Sequence, residues 1–183
     1  FNKKYLLTGV AAILAALPLL WFIMAPYQKD RLTSFINPEK DPSGSGYNSL
    51  QSTIAAGSGK ITGRGLGRGV QTQLSFLPEK QTDFIFAAVG EELGFVGTGL
   101  MLIATFVILW KLTIFMENSI SPAGRAYLSG FFLTYFVQVF VHVAMNMGML
   151  PITGLPYPLV SAGGSSLLAT MIGLGIAVGA YKR

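Results

Sequence analysis

Residues 93–112 read LGFVGTGLMLIATFVILWKL, an apolar run whose only charge is Lys111 near its end. A hydrocarbon core roughly 30 Å thick takes about 20 residues of helix to cross, so this run reads as a membrane span. Working outward, three more blocks read the same way: Tyr5 to Ala25, Ala126 to Leu150, and about Ser161 to Tyr181, none with an Asp, Glu, Lys or Arg. Composition points in the same direction, with 51% hydrophobic and 11% charged residues where soluble domains average about 25% charged. The expected fold class is an all-α integral membrane protein. Four transmembrane helices (about 5–25, 93–112, 126–150 and 161–181) frame one long polar loop, about 26–92, with short amphipathic helices in it. No small-residue cleavage site follows the first block, so it is not a signal peptide. Phe1, rather than Met, stands almost at the start of a span, and residues 1–183 read as the C-terminal part of a larger bundle.

Orientation follows from Lys and Arg near the helix ends. Lys3 and Lys4 precede the first span, Lys111 and Arg125 flank the turn between the second and third, and Lys182 and Arg183 close the fourth. These put both termini in the cytoplasm and the long loop outside. The loop itself holds seven basic residues, Lys29, Arg31, Lys40, Lys60, Arg64, Arg68 and Lys80, which opposes that reading, although long loops translocate largely regardless of charge. The net charge of +5 is spread over membrane flanks and this loop. It favours a membrane surface or anionic lipid headgroup over nucleic acid as partner. There is no cysteine, so the redox compartment is not indicated.

Inside the loop, Tyr47, Leu50 and Ile54 recur at helical spacing and predict a short amphipathic helix at the interface, ending in Gly57-Ser58-Gly59-Lys60. The run Gly63-Arg64-Gly65-Leu66-Gly67-Arg68-Gly69 is not a P-loop: Ile54 stands where the first glycine of such a motif belongs and Ile61 follows Lys60. Two readings remain for it, a flexible linker and a backbone nest, with arginines beside it, for a phosphate group.

Residues 77–86, LPEKQTDFIF, place Asp83 just before an apolar run. A carboxylate there caps a helix start or serves chemistry at the membrane edge. Glu91 and Glu92 lie between apolar Phe84 to Val89 and Leu93 to Val96. Acidic groups near hydrocarbon are costly and point to function, but here an interfacial kink with solvated carboxylates is the preferred reading. Pro151, Pro156 and Pro158 forbid a helix in the connection between the third and fourth spans. The small residues Ser161 to Ser166 let backbones approach or line a polar cavity. Thr153, Pro156 and that stretch are expected to share a cavity with Asp83. Gln138, His142 and Asn146, four apart on one face of the third span, predict interhelical hydrogen bonds. With a single His and no cysteine, no zinc-type cluster and no Ser-His-Asp set is visible.

Several runs together resemble the SEDS family of RodA, FtsW and SpoVE. They are Pro26-Tyr27-Gln28 with Arg31, Gly46-Tyr47 with Gln51-Ser52, and Gln73-Leu74 with Phe76-Leu77-Pro78-Glu79. Thr82 to Ala87, Gly90-Glu91-Glu92-Leu93-Gly94 and Gly163-Gly164-Ser165-Ser166 complete the set, all in the family's order. Gln71 to Leu74 and Leu150 to Gly154 look more like RodA than FtsW. Three positions depart from the family's pattern: Ala162 for a usual aromatic, His142 for a usual Asn, and Lys60 for a common Gly. The resemblance implies a peptidoglycan glycosyltransferase of the bacterial inner (cytoplasmic) membrane. It would polymerise lipid II at the outer face alongside a class B penicillin-binding transpeptidase. It also implies that Asp83 is the essential aspartate, acting as general base in an inverting single displacement. Arg31, Lys60, Arg64, Glu79, Thr82, Thr153, Ser165 and Ser166 are then candidate substrate-binding residues. No resident metal site is expected, although a divalent cation, Mg or Mn, could offset the pyrophosphate charge. Two rivals stand beside this reading. One is a transporter of lipid-linked precursors, which also suits polar groups inside spans. The other is a scaffold that recruits an enzyme through its apolar faces.

Overall fold

The computed structural model describes residues 18, 21–37, 44–74 and 76–181. Most of the expected first span, 5–25, lies outside them. Helices follow in the order α1 (Pro26–Ile36), α2 (Ser45–Ser58), α3 (Val70–Gln73), α4 (Ile85–Asn118), α5 (Pro122–Asn146) and α6 (Gly164–Tyr181), with no strand among the described residues. Helices α4, α5 and α6 are long and apolar enough to cross a membrane. They are the expected second, third and fourth spans with shifted bounds. Helix α5 starts earlier than Ala126 because Pro122 sits in its first turn and the Ser121 hydroxyl accepts the Gly124 N–H at 3.4 Å, a cap with a proline behind it. It ends before Leu150 because Gly148 turns left-handed at φ +69°, the usual way of stopping a helix.

Helix α4 is interrupted inside the apolar run. Gly94 has φ +67° and ψ −159°, a conformation open in practice to glycine alone. Such a break frees backbone groups that must find partners, and the glycine-rich loop supplies them. The N–H groups of Arg64 and Gly65 donate to the carbonyls of Glu91 and Glu92 at 2.9 and 3.0 Å. Beyond the break, the N–H groups of Phe95 and Val96 donate to the carbonyls of Lys60 and Ile61 at 2.9 and 3.1 Å. The loop is therefore stitched into the helix. The span proper is 95–118, about 36 Å long at 1.5 Å per residue.

The amphipathic helix expected around Tyr47 to Ile54 is α2, but its packing face is the reverse of the apolar stripe. Gly46, Ser52 and Ala55 are buried, while Leu50 and Ile54 are 55% and 43% exposed. Small residues win the inner face because the backbones approach closely. A Cβ on Gly59 would stand 1.8 Å from the Gly90 carbonyl oxygen on α4. Below this level Phe86, Tyr135, Val139 and Tyr157 form one core, and Leu112, Leu128 and Ala177 a second. Large apolar side chains such as Phe95, Phe106, Trp110, Phe140 and Leu168 stay exposed, as expected of a surface that meets lipid or further helices rather than water.

Candidate functional site

The turn from Leu77 to Phe84 carries Asp83 into the molecule's upper rim. Leu77 and Phe84, 1% and 3% exposed, anchor its two ends in a cluster with Ala55, Ala87 and Ile152. Glu79 adopts a left-handed conformation, φ +51°. Its carbonyl accepts the N–H groups of Thr82, Asp83 and Phe84 at 3.1, 3.1 and 3.3 Å. The Thr82 hydroxyl also donates to Glu79 Oε2 at 3.1 Å. One residue thus gathers the whole turn.

The proline-rich connection closes over this turn. Ala162 N–H donates to Gln81 O at 2.8 Å. The Ser161 hydroxyl donates to Thr82 O at 2.7 Å and accepts the Tyr157 N–H at 2.7 Å. From beneath, the polar stripe of α5 holds the same connection: of the interhelical hydrogen bonds expected of it only Asn146 makes one, and Gln138 and His142 bond the irregular connection instead. Gln138 Nε2 donates to Pro156 O at 3.1 Å, and His142 Nδ1 pairs with Leu155 O at 2.7 Å. Asn146 reaches across to the Asp83 turn, with Oδ1 accepting Ala87 N–H at 3.1 Å and Nδ2 donating to Asp83 O at 2.9 Å.

The helix-cap reading of Asp83 fails on this geometry. The residue flanking α4 is Phe84, which offers no capping oxygen, and the Ala87 N–H that a cap would take is held by Asn146. The half-buried Asp83 carboxylate accepts no hydrogen bond from a described residue and faces Gly154, whose added Cβ would lie 3.6 Å from Oδ2. Burial raises its pKa above the ordinary carboxylate value, the Glu79 charge raises it further, and the Arg31 guanidinium works against both. Arg31 is held in place by its bond from Nη1 to Ile152 O at 3.1 Å. A carboxylate without a hydrogen bond from any described residue, partly desolvated and flanked by one anion and one cation, is equipped to accept a proton.

The remaining candidates divide. Thr153 is exposed beside Gly154, its hydroxyl 3.5 Å from Met145 Sδ. Ser165 is exposed, and the Ser166 hydroxyl turns back to Gly163 O at 3.1 Å within the first turn of α6. The hydrogen bonds that tie the Ser161 to Ser166 stretch to the Asp83 turn therefore run through Ser161 and Ala162. Lys60 and Arg64 belong to the stitched loop. Arg64 Nε donates to Ser58 Oγ at 3.1 Å, and Lys60 flanks a cavity of about 440 Å³ with Thr53, Phe86, Phe95, Leu102 and Met147. The N–H groups of Arg64 and Gly65 already serve the helix break, so this loop is neither a free linker nor an anion nest at those positions.

Glu91 overturns its expectation as a solvated carboxylate. It is 0% exposed, and its two oxygens accept the N–H groups of Gln71 and Thr72, each at 2.9 Å. It caps α3 from the side. Apolar flanks on both sides were the available signal for its burial. Glu92 is half-buried, with the Thr72 hydroxyl 3.4 Å from Oε1. No three metal-ligating side chains come together among the described residues, and Asp83 is faced by one carboxylate and one guanidinium. This donor set does not build a metal centre by itself.

The sequence profile of the FtsW/RodA/SpoVE family, described as cell cycle protein, matches residues 2–182. Among curated relatives, peptidoglycan glycosyltransferase MrdB of Escherichia coli K12 is 45% identical over 97% of this chain and 49% of its own length. Stage V sporulation protein E of Bacillus subtilis is 39% identical over 88% of this chain and 44% of its own. The chain thus spans about half the length of the curated relatives it matches. A solved structure described as the structural coordination of polymerization and crosslinking by a peptidoglycan synthase complex superposes with a TM-score of 0.73 at 34% identity. It covers 98% of this chain and 49% of its own. A crystal structure of an aspartate-to-alanine mutant of the rod shape determining protein RodA of Thermus thermophilus gives a TM-score of 0.54 at 36% identity, covering 57% and 35%.

Proposed function

The chain belongs to the FtsW/RodA/SpoVE family, and from that premise we propose that it is the C-terminal part of a bacterial inner-membrane peptidoglycan glycosyltransferase that polymerises lipid II. The observation that carries this reading is the half-buried Asp83 carboxylate, hydrogen-bonded by no described residue, on a turn fixed from three sides. Lipid II presents its sugar on a pyrophosphate, already a good leaving group, so the main demand is removal of the acceptor hydroxyl's proton as it attacks the anomeric carbon. Asp83 takes that proton. The new glycosidic bond forms as the bond to pyrophosphate breaks, and an α-linked donor gives a β-linked product without a glycosyl-enzyme intermediate. Arg31, beside Asp83, is the cation best placed to steady the departing negative charge, and Glu79, Thr82 and Thr153 rim the same site. Lys60 and Arg64 act farther off, on the stitched loop. The site opens on the extracytoplasmic face. The higher identity to MrdB, a RodA, than to the sporulation relative supports a role in elongation. The solved complex that couples polymerization to crosslinking supports a class B penicillin-binding transpeptidase as partner.

The test is polymerisation of lipid II by the purified full-length protein and its Asp83→Asn variant. Loss of turnover by about 10²-fold or more, with folding and partner binding kept, is the expected result. Polymer formed by Asp83→Asn at the wild-type rate sinks the role of Asp83, and no polymer from the wild type favours a transporter instead.

A further inference from the structure

We propose that Asn146 is a positioning residue for Asp83: its amide fixes the peptide that carries the base while capping helix α4 from a different helix. The inference rests on the reading of Asp83 as general base.

Asn146 is 0% exposed and uses its whole amide. Oδ1 accepts the N–H of Ala87 at 3.1 Å. Ala87 is the third residue of α4, the position whose free N–H a capping side chain ordinarily takes. Phe84 cannot provide that oxygen, so it comes from α5. The two amide hydrogens go to Asp83 O at 2.9 Å and to His142 O at 2.8 Å. The backbone of Asn146 is held in turn, since the Ser52 hydroxyl of α2 donates to its carbonyl at 2.7 Å.

The consequence is geometric. The Asp83 carboxylate has no hydrogen-bond partner of its own among the described residues, so its direction is set by the backbone beneath it. That backbone is held on its N–H side by Glu79 O and on its carbonyl side by Asn146 Nδ2. Releasing the carbonyl lets the peptide between Asp83 and Phe84 rotate and swings the carboxylate. Displacement of a reacting group by 1 Å costs about 10²-fold in rate, whereas substrate contacts made by the rest of the site remain. The arrangement also joins α2, α4 and α5 at one atom group, so the base is referenced to the rigid helices rather than to the loop it sits in.

The experiment uses the full-length protein with lipid II and compares Asn146→Asp, Asn146→Ala and Asp83→Asn. Asn146→Asp keeps an oxygen for the Ala87 N–H and removes the donor to Asp83 O. It is expected to lower kcat by about 10-fold or more with KM for lipid II within about 2-fold of wild type. Asn146→Ala loses the cap as well. It should melt at a lower temperature, yet show the same kcat loss when assayed well below its melting point, which carries the test if Asn146→Asp does not accumulate. A structural role alone lowers the melting temperature and leaves kcat of the folded enzyme untouched. That result, with Asp83→Asn inactive, overturns the inference and spares the base. A rise in KM at constant kcat assigns Asn146 to substrate binding and also overturns it. Wild-type turnover by Asp83→Asn overturns both readings together.

Discussion

Asp83, on the turn that leads into α4, and Glu91, near the start of that helix, lie close together in the sequence, and the structure treats them in opposite ways. Glu91 is sealed from solvent, with both oxygens on backbone N–H groups of α3. Asp83 is half-buried and its carboxylate is hydrogen-bonded by no described residue, while its own backbone N–H and carbonyl are both engaged. A carboxylate that accepts two N–H bonds has its charge compensated and its lone pairs occupied, which suits it to hold a fold together. A desolvated carboxylate without donors is a stronger proton acceptor and contributes less to stability. The contrast therefore separates a residue for architecture from one for chemistry, although the two look alike in the sequence.

The largest effect expected is at the helix break beside Glu91. A Cβ on Gly94 would lie 2.3 Å from Gly63 N and 2.6 Å from Ile61 O. These are backbone atoms that cannot turn aside, and φ there is left-handed. Gly94→Ala should expel the stitched loop, with its four hydrogen bonds to the break, at a cost on the order of 5 kcal/mol. The expected readout is loss of monodisperse full-length protein after extraction. A variant that melts like the wild type would show that the break is not what organises the rim.

Next comes Glu91 itself. Glu91→Ala strands the N–H groups of Gln71 and Thr72 and should destabilise by about 2–5 kcal/mol, whereas Glu91→Gln keeps one acceptor and should cost about 1–2 kcal/mol. Thermal melts rank the three proteins. If Glu91→Ala melts normally yet cannot polymerise lipid II, the contrast between the two acids collapses and Glu91 belongs to the chemistry.

Much of this was legible in the sequence, for identifiable reasons. Unbroken apolar runs of the right length announced α4, α5 and α6. The stripe of Gln138, His142 and Asn146 announced hydrogen bonds because amides and imidazole at membrane depth need partners. Asp83 stood out by its place before Phe84-Ile85-Phe86. What sequence reasoning missed is non-local. Nothing in the apolar run distinguishes Gly94, the glycine that breaks the helix, from Gly97 or Gly99, which continue it. The partners of Glu91 lie in the short helix α3 some twenty residues earlier, and those that Asn146 finds around Asp83 some sixty residues earlier. Periodicity carries no information at such separations. The packing face of α2 was also not legible: small residues set it, and small residues leave no hydropathy signal.

The smallest effect is also the one that reads Asp83 directly. A general base works ionised, so kcat/KM should fall on the acid side as pH drops through the pKa of Asp83, which lies above its ordinary value of 3.8. The charges that face it are Glu79 from its own turn and Arg31 from α1, and they act in opposite directions. Arg31→Gln removes the influence that lowers the pKa and should move the acid limb to higher pH; Glu79→Gln removes one that raises it and should move the limb down. Stability follows the same linkage. Between the unfolded and the raised folded pKa the native state holds the proton more tightly, so this group's contribution to stability is complete at low pH and is lost as pH rises through the folded value. Asp83→Asn, which never ionises, should then melt slightly above the wild type at neutral pH and level with it in acid. The gap is small because the carboxylate is partly exposed and screened. Melting curves of both proteins at several pH values measure it. An Asp83→Asn variant that is clearly less stable at neutral pH would mean that the carboxylate holds the fold as Glu91 does, and the division of labour between the two acids would be wrong.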